Sequence, residues 1–179
     1  IGASNYHAWE LMKALSISDR LGLTRFISIQ PSYSLADRNV EREIVPLCLD
    51  QGIGLIPYFP LAGGILTGKY TSGDQIPAGS RADKDPNFAR RLEDEQRLQL
   101  AQQVTALANE LGCTPAALSL AWLRYQPAVA TIIVGATRSE QVQENLKCLE
   151  VDLTPEILQK LDEISKPFRF SRPFGAFRA

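Results

Sequence analysis

The sequence predicts an α/β fold built on a parallel sheet. Short apolar runs rich in β-branched residues alternate with segments whose apolar residues recur at helical spacing. Thr-Pro pairs, suited to an N-cap and the first helical residue, open two of those segments. With 45% hydrophobic residues over 179 positions, the chain can bury one sizeable core.

Ile1 to Ala3 reads as the end of a first strand, and Ala8, Leu11, Met12 and Leu15 as the helix after it. Phe26 to Ile29 is a second strand, followed by a helix carrying Val40, Ile44, Val45 and Cys48. Ile53 to Ile56 is a third, bounded by Gly52 and Pro57. Two helices come next. Leu100, Val104, Leu107 and Leu111 mark one, and Leu118, Ala121, Trp122 and Tyr125 the other, opened by Thr114 and Pro115. Thr131 to Val134 is a fourth strand, and Val142 and Leu146 lie on the apolar face of its helix. Thr154 and Pro155 start a last helix with Ile157, Leu158, Leu161 and Ile164; the tail from Pro167 has no periodicity. Between Phe59 and Arg91 runs a long loop with Gly63, Gly64, Gly68, Gly73, Pro77, Gly79 and Pro86. A loop of that length in a compact domain is usually functional or disordered.

A doubly wound sheet and a closed barrel both fit this alternation. Either one binds ligands at the carboxyl ends of its strands.

Several function classes are disfavoured. A net charge of −1 supplies no global basic field for nucleic acid. Cys48, Cys113 and Cys148 are far apart, with neither metal spacing nor a disulfide framework, which points to a reducing, cytoplasmic setting. No apolar run approaches the roughly 20 residues of a membrane span. His7 is the one histidine, so neither a His-based triad nor a histidine-rich metal site is available, and it reads as a surface or capping residue. No G-x-S-x-G nucleophile elbow occurs. The chain opens at Ile1, inside an expected strand and without Met, so further residues upstream are expected.

The strand ends carry the chemistry. Ser4 and Asn5 follow the first strand, Gln30-Pro31-Ser32-Tyr33 the second, Tyr58-Phe59-Pro60-Leu61 the third, and Gly135-Ala136-Thr137-Arg138 the fourth. Ser4, Asn5 and Gln30 offer donors and acceptors that match a carboxamide. Ser4 and Asn5 equally suit a helix cap. Tyr58 offers a ring on which a heterocycle stacks, or a packing surface. Thr137 and Glu140 have capping-box spacing, so the next helix is expected to start near Thr137. Its free N–H groups favour an anion, and Arg138 adds a guanidinium that forks onto a phosphate. Gln141, Glu144 and Asn145 share one helical face, available to a nucleoside or simply to solvent. Gly63 to Lys69 matches most of a phosphate-binding loop, but Tyr70 stands in the Ser/Thr position, so it is not a Walker loop. Lys69, and Arg81 after Ser80, are cations available to a pyrophosphate or to solvent.

Taken together, Gly2-Ala3-Ser4-Asn5, Gln30-Pro31-Ser32-Tyr33, Tyr58-Phe59-Pro60-Leu61, Gly63 to Tyr70 and Gly135 to Asn145 resemble the aldo-keto reductases, in the branch that includes the potassium channel β subunits. The resemblance covers nearly the whole chain. It implies a (β/α)8 TIM barrel, with residues 1–179 forming the C-terminal part of one barrel domain. That part comprises strands five to eight, their helices, a C-terminal helix and a tail. It implies NADP(H) as cofactor and a small aldehyde or ketone as substrate. By resemblance, Ser4, Asn5 and Gln30 hold the nicotinamide carboxamide and Tyr58 stacks on the ring. Leu61, Gly63, Lys69, Ser80 and Arg81 embrace the pyrophosphate. Thr137 and Arg138, after Gly135, take the 2′-phosphate, and Gln141, Glu144 and Asn145 the adenosine. Phe59 stands where many members have serine, which puts one phosphate contact in doubt. The family's tyrosine acid and its lysine, aspartate and histidine supports belong to the first half of the barrel. Nothing here matches them, so no catalytic residue is assigned. The missing half is expected from the complete protein or a partner copy. The alternative is a nucleotide-sensing regulatory subunit that uses the same cofactor site with little turnover.

Overall fold

The computed structural model describes residues 1–70, 76 and 78–171, leaving out the side chains of Arg81 and Arg91. Gly73, Pro77, the Arg81 side chain and the tail beyond Ser171, all noted in the sequence, lie outside the described residues.

Three short strands, β1 (Gly2–Ser4), β2 (Ser28–Gln30) and β3 (Gly54–Leu55), form a parallel sheet in that order. Gly2, Ala3 and Ser4 pair with Ser28, Ile29 and Gln30, and Ser28 and Ile29 with Gly54 and Leu55. Helix α1 (Ala8–Leu21) joins β1 to β2, and a 3₁₀ turn at Asn39–Arg42 followed by α2 (Ile44–Gln51) joins β2 to β3. Parallel neighbours joined through helices make this an α/β fold, as expected.

The fourth strand does not form as a strand. Residues 128–133 do run beside β3. The Leu55 N–H donates to Ala128 O at 2.8 Å, Ala130 N–H to Leu55 O at 2.9 Å, and Ile133 N–H to Pro57 O at 2.9 Å. Leu55 and Val129 form an isolated bridge. A regular parallel ladder would next use an N–H from residue 57 and return the N–H of Ile132 to its carbonyl. Proline has no N–H to give. The ladder slips by one residue there, so Thr131 to Val134 are irregular despite their β-branched composition.

The expected long loop is more structured than its glycines suggest. It contains a 3₁₀ segment (Ala62–Thr67) and two short helices, α3 (Arg81–Lys84) and α4 (Pro86–Ala89). Helices α5 (Glu95–Glu110) and α6 (Pro115–Arg124) follow, then α7 (Ser139–Leu146) and α8 (Pro155–Ser165). The Thr-Pro signals act as expected: Thr114 Oγ1 accepts from Ala117 N–H at 3.2 Å and Thr154 Oγ1 from Ile157 N–H at 3.4 Å. Every residue of α6 from Ala116 to Leu123 is buried, so this helix is enclosed all round rather than on one stripe, with the Ser119 hydroxyl donating to Pro115 O at 2.8 Å. Trp122 sits at the centre of the core with Leu11, Leu15, Ile29, Leu55, Leu100 and Leu118. Among the described residues, no helix is long and apolar enough to cross a membrane.

Candidate functional site

The carboxyl ends of the three strands are laced together. Ser4 Oγ donates to Gln30 O at 3.1 Å, and Asn5 N–H to the same carbonyl at 3.2 Å. Tyr58 O–H donates to Asn5 Oδ1 at 2.9 Å. The Tyr58 N–H donates to Pro31 O at 3.0 Å, and Tyr33 N–H to Tyr58 O at 3.3 Å. Ser4, Asn5 and Tyr58 therefore meet at one corner, in which Gln30 takes part through its backbone carbonyl. Ser4 and Asn5 are not the cap of α1. That cap is His7, whose backbone N–H donates to Glu10 Oε2 at 2.9 Å in a capping box. Capping was one of the roles expected of His7.

Asn5 has φ 55°, the left-handed region an Asn tolerates. Phe59, half-exposed, and Ala62 share it at φ 53° and 50°, which is unusual for such side chains. Strain of this sort collects at ligand-binding turns. A small cavity of about 50 Å³ opens beside the corner, between Asn5, Tyr58, Ser32, Asp37 and Asn39. Ser32 Oγ donates to Asp37 Oδ2 at 3.0 Å, and Asn39 Nδ2 to Asp37 Oδ1 at 2.8 Å. Asp37 and Asn39 are not legible in the sequence, because short polar residues in a loop carry no periodic signal.

Packing shapes the glycine turn. Leu61 is half-buried, and its carbonyl accepts from Gly64 N–H at 2.8 Å. Gly63 has φ 72°, and a Cβ there would lie 2.3 Å from Phe88 Cε2. Lys69 folds back over Gly64, where a Cβ would come within 2.9 Å of its Nζ, and over the Tyr70 ring at 5.0 Å. Ser80 opens α3, its Oγ accepting from Asp83 N–H at 3.3 Å.

The turn before α7 differs from expectation. The capping box of Thr137 and Glu140 does not form, and the helix starts two residues later, at Ser139. Gln141 supplies the reason. Its Oε1 reaches back to Thr137 N–H at 2.7 Å and to the Thr137 hydroxyl at 3.2 Å, taking the place a capping-box Glu would fill. The backbone N–H of Glu140 and the Ser139 hydroxyl hold the Glu140 carboxyl below the usual range. Arg138 occupies the N-cap with its side chain exposed, and Gly135 faces open space. The three residues expected on one face have separate partners. Gln141 serves Thr137. Glu144 pairs with Lys147 at 2.7 Å, which keeps its carboxyl below the usual range. Asn145 lines an apolar cavity of about 410 Å³ with Leu120, Val134, Val142 and Leu146. The two ends of the site are linked through the backbone, since Ile133 pairs with Pro57, one residue before Tyr58. Among the described residues no cluster of His, Cys, Asp or Glu suits a metal.

A model of the aldo/keto reductase family matches residues 1–166. The chain belongs to that family. A probable voltage-gated potassium channel β subunit of Arabidopsis thaliana is 41% identical over 94% of this chain and 53% of its own length. An uncharacterized oxidoreductase of Bacillus subtilis is 35% identical, over 92% of this chain and 48% of that protein. Versiconal hemiacetal acetate reductase of Aspergillus parasiticus is 34% identical over 91% and 47%. The chain thus spans about half the length of the curated relatives it matches. The family fold is a (β/α)8 barrel, and the parallel sheet with crossover helices is consistent with it.

Proposed function

We propose that this chain supplies the cofactor-binding half of an NADP(H)-dependent oxidoreductase that reduces small aldehydes or ketones. The observation that carries this is the hydrogen-bonded corner of Ser4, Asn5, Gln30 and Tyr58 at the carboxyl ends of adjacent strands. A carboxamide has one acceptor and two donors, and the corner offers complementary groups within reach of a tyrosine ring. The residues fit a dinucleotide extended from there toward Arg138, whose exposed guanidinium at a helix N-terminus suits a 2′-phosphate. When bound, the nicotinamide supplies the hydride. These residues hold its amide, support its ring and anchor its phosphates, which is much of what a protein contributes to cofactor chemistry. Nothing in the chain corresponds to the family's tyrosine acid, so the proton donor lies elsewhere.

The corresponding architecture is the last four βα units of a barrel, residues 1–179 being part of a single domain. A missing N-terminal half or a partner copy would complete it, and the setting is cytoplasmic. Replacing Arg138 with Ala tests the cofactor assignment. NADPH binding should weaken about tenfold or more, the scale of a lost hydrogen bond to a charged group, with NADH binding little changed. Equal loss for both, or no loss, refutes the 2′-phosphate role.

The 41% identity to a protein named as a channel β subunit favours one second reading, a nucleotide-sensing regulatory subunit. Turnover of a generic aldehyde by the complete protein separates the two. Cofactor binding with negligible turnover supports the regulatory reading.

A further inference from the structure

An ionic cluster, buried at Arg38 and Glu41 and half-exposed at Asp162 and Arg169, is bonded to the strand-end corner through Tyr33. Arg38 and Glu41, with side chains 4% and 9% exposed, pair through Nε at 2.6 Å and Nη2 at 3.0 Å. Arg38 Nη1 also reaches Asp162 Oδ1 at 2.8 Å and Ser165 Oγ at 2.7 Å, both on α8. Its guanidinium lies 4.9 Å over the Trp122 ring, and the Trp122 indole N–H donates to Asp162 at 3.3 Å. The backbone N–H of Arg38 donates to Phe168 O at 3.0 Å, and Arg169 joins Glu41 at 2.9 Å. One residue of the β2–α2 loop thus ties α6, α8 and the segment after α8 to that loop.

The cluster continues toward the corner through Tyr33. This side chain is 1% exposed, donates its O–H to Glu41 Oε1 at 2.9 Å and meets Trp122 edge-on at 5.4 Å. Its backbone N–H holds the carbonyl of Tyr58, whose own N–H is held by Pro31 O. The path from Arg38 to the Tyr58 ring is therefore Glu41, the Tyr33 hydroxyl, the Tyr33 amide and the Tyr58 backbone. Breaking a buried pair leaves a charge uncompensated, so separating Arg38 from Glu41 is costly.

We infer that Arg38 and Tyr33 are positioning residues that set the height and tilt of Tyr58, and hence how the nicotinamide end of the cofactor is held. The inference rests on the cofactor reading above. It concerns residues that touch no cofactor atom in that reading and to which the resemblance assigns no role, although Tyr33 lies within one of the motifs quoted above.

The test uses the complete protein, titrated with NADPH and followed by nicotinamide fluorescence. Tyr33→Phe keeps the ring and removes the hydroxyl; Arg38→Lys keeps the charge and removes the fork. Each should weaken NADPH binding about three- to tenfold, the scale of a lost hydrogen bond. Combined with Tyr58→Leu, either variant should lose less than the product of the single losses, because both act on the same ring. Combined with Arg138→Ala, at the far end, the losses should multiply. If Tyr33→Phe and Arg38→Lys lower the melting temperature but leave NADPH affinity unchanged, or multiply with Tyr58→Leu, the cluster serves stability alone and the inference is overturned. If the unmodified protein binds neither NADPH nor NADH, the cofactor reading fails first and takes this inference with it.

Discussion

Replacing Gly63 with Ala separates a packing role from a ligand role at the glycine turn. Two costs are visible. The residue has φ 72°, a conformation that disfavours an L side chain by roughly 1–2 kcal/mol. The new methyl would lie 2.3 Å from Phe88 Cε2, and Phe88 is only 3% exposed, so the ring has little room to retreat. Overpacking of this kind adds about 1–3 kcal/mol. Together they predict a loss of roughly 2–5 kcal/mol in urea unfolding of the protein without cofactor. Phe88→Leu should relieve the overlap. In that background the Gly63→Ala cost should fall to the backbone share, about 1–2 kcal/mol. A loss below about 0.5 kcal/mol in the unmodified background, the range of an ordinary surface change, would refute this account. It would leave glycine at 63 explained by close approach of a ligand.

Other expectations follow from local features. Thr114→Ala removes the oxygen that receives Ala117 N–H at the start of α6, and should lower stability in urea unfolding by about 1 kcal/mol. Burial pushes the Cys48 thiol from 9.0 up to about 11, so it should resist thiol reagents at pH 8 in the folded protein and react on unfolding. Because its folded value is the higher one, the stabilisation is complete below pH 9 and fades as pH rises toward 11. A Cys48→Ala variant should flatten that alkaline slope, and an unchanged slope would exclude Cys48 as its source.

What could be read from the sequence was what short-range chemistry decides. Thr114-Pro115 and Thr154-Pro155 cap helices because a cap needs only its own next three residues. The ends of β1 to β3 were legible because apolar strands give way abruptly to Ser4-Asn5, Gln30 and Pro57-Tyr58. The corner they form was legible only as a list of groups; its bonds join residues 25 or more positions apart. The fourth strand failed because its regularity depends on the N–H that Pro57 lacks. The Thr137–Glu140 capping box failed because Gln141 competes for the same amide from one position further on. The Arg38 cluster was invisible because its partners on α8 lie more than 120 positions away and only the Arg38–Glu41 spacing is local.

The offset opposite Pro57 has an effect beyond the two missing bonds. Ala130 before it and Ile132 and Val134 after it all line the cavity under α7, while Ile133 between them is 43% exposed. The pairing moves by one position while the face turned to the cavity is kept. The backbone leading to Arg138 is thereby moored to the Pro57 carbonyl through the Ile133 N–H.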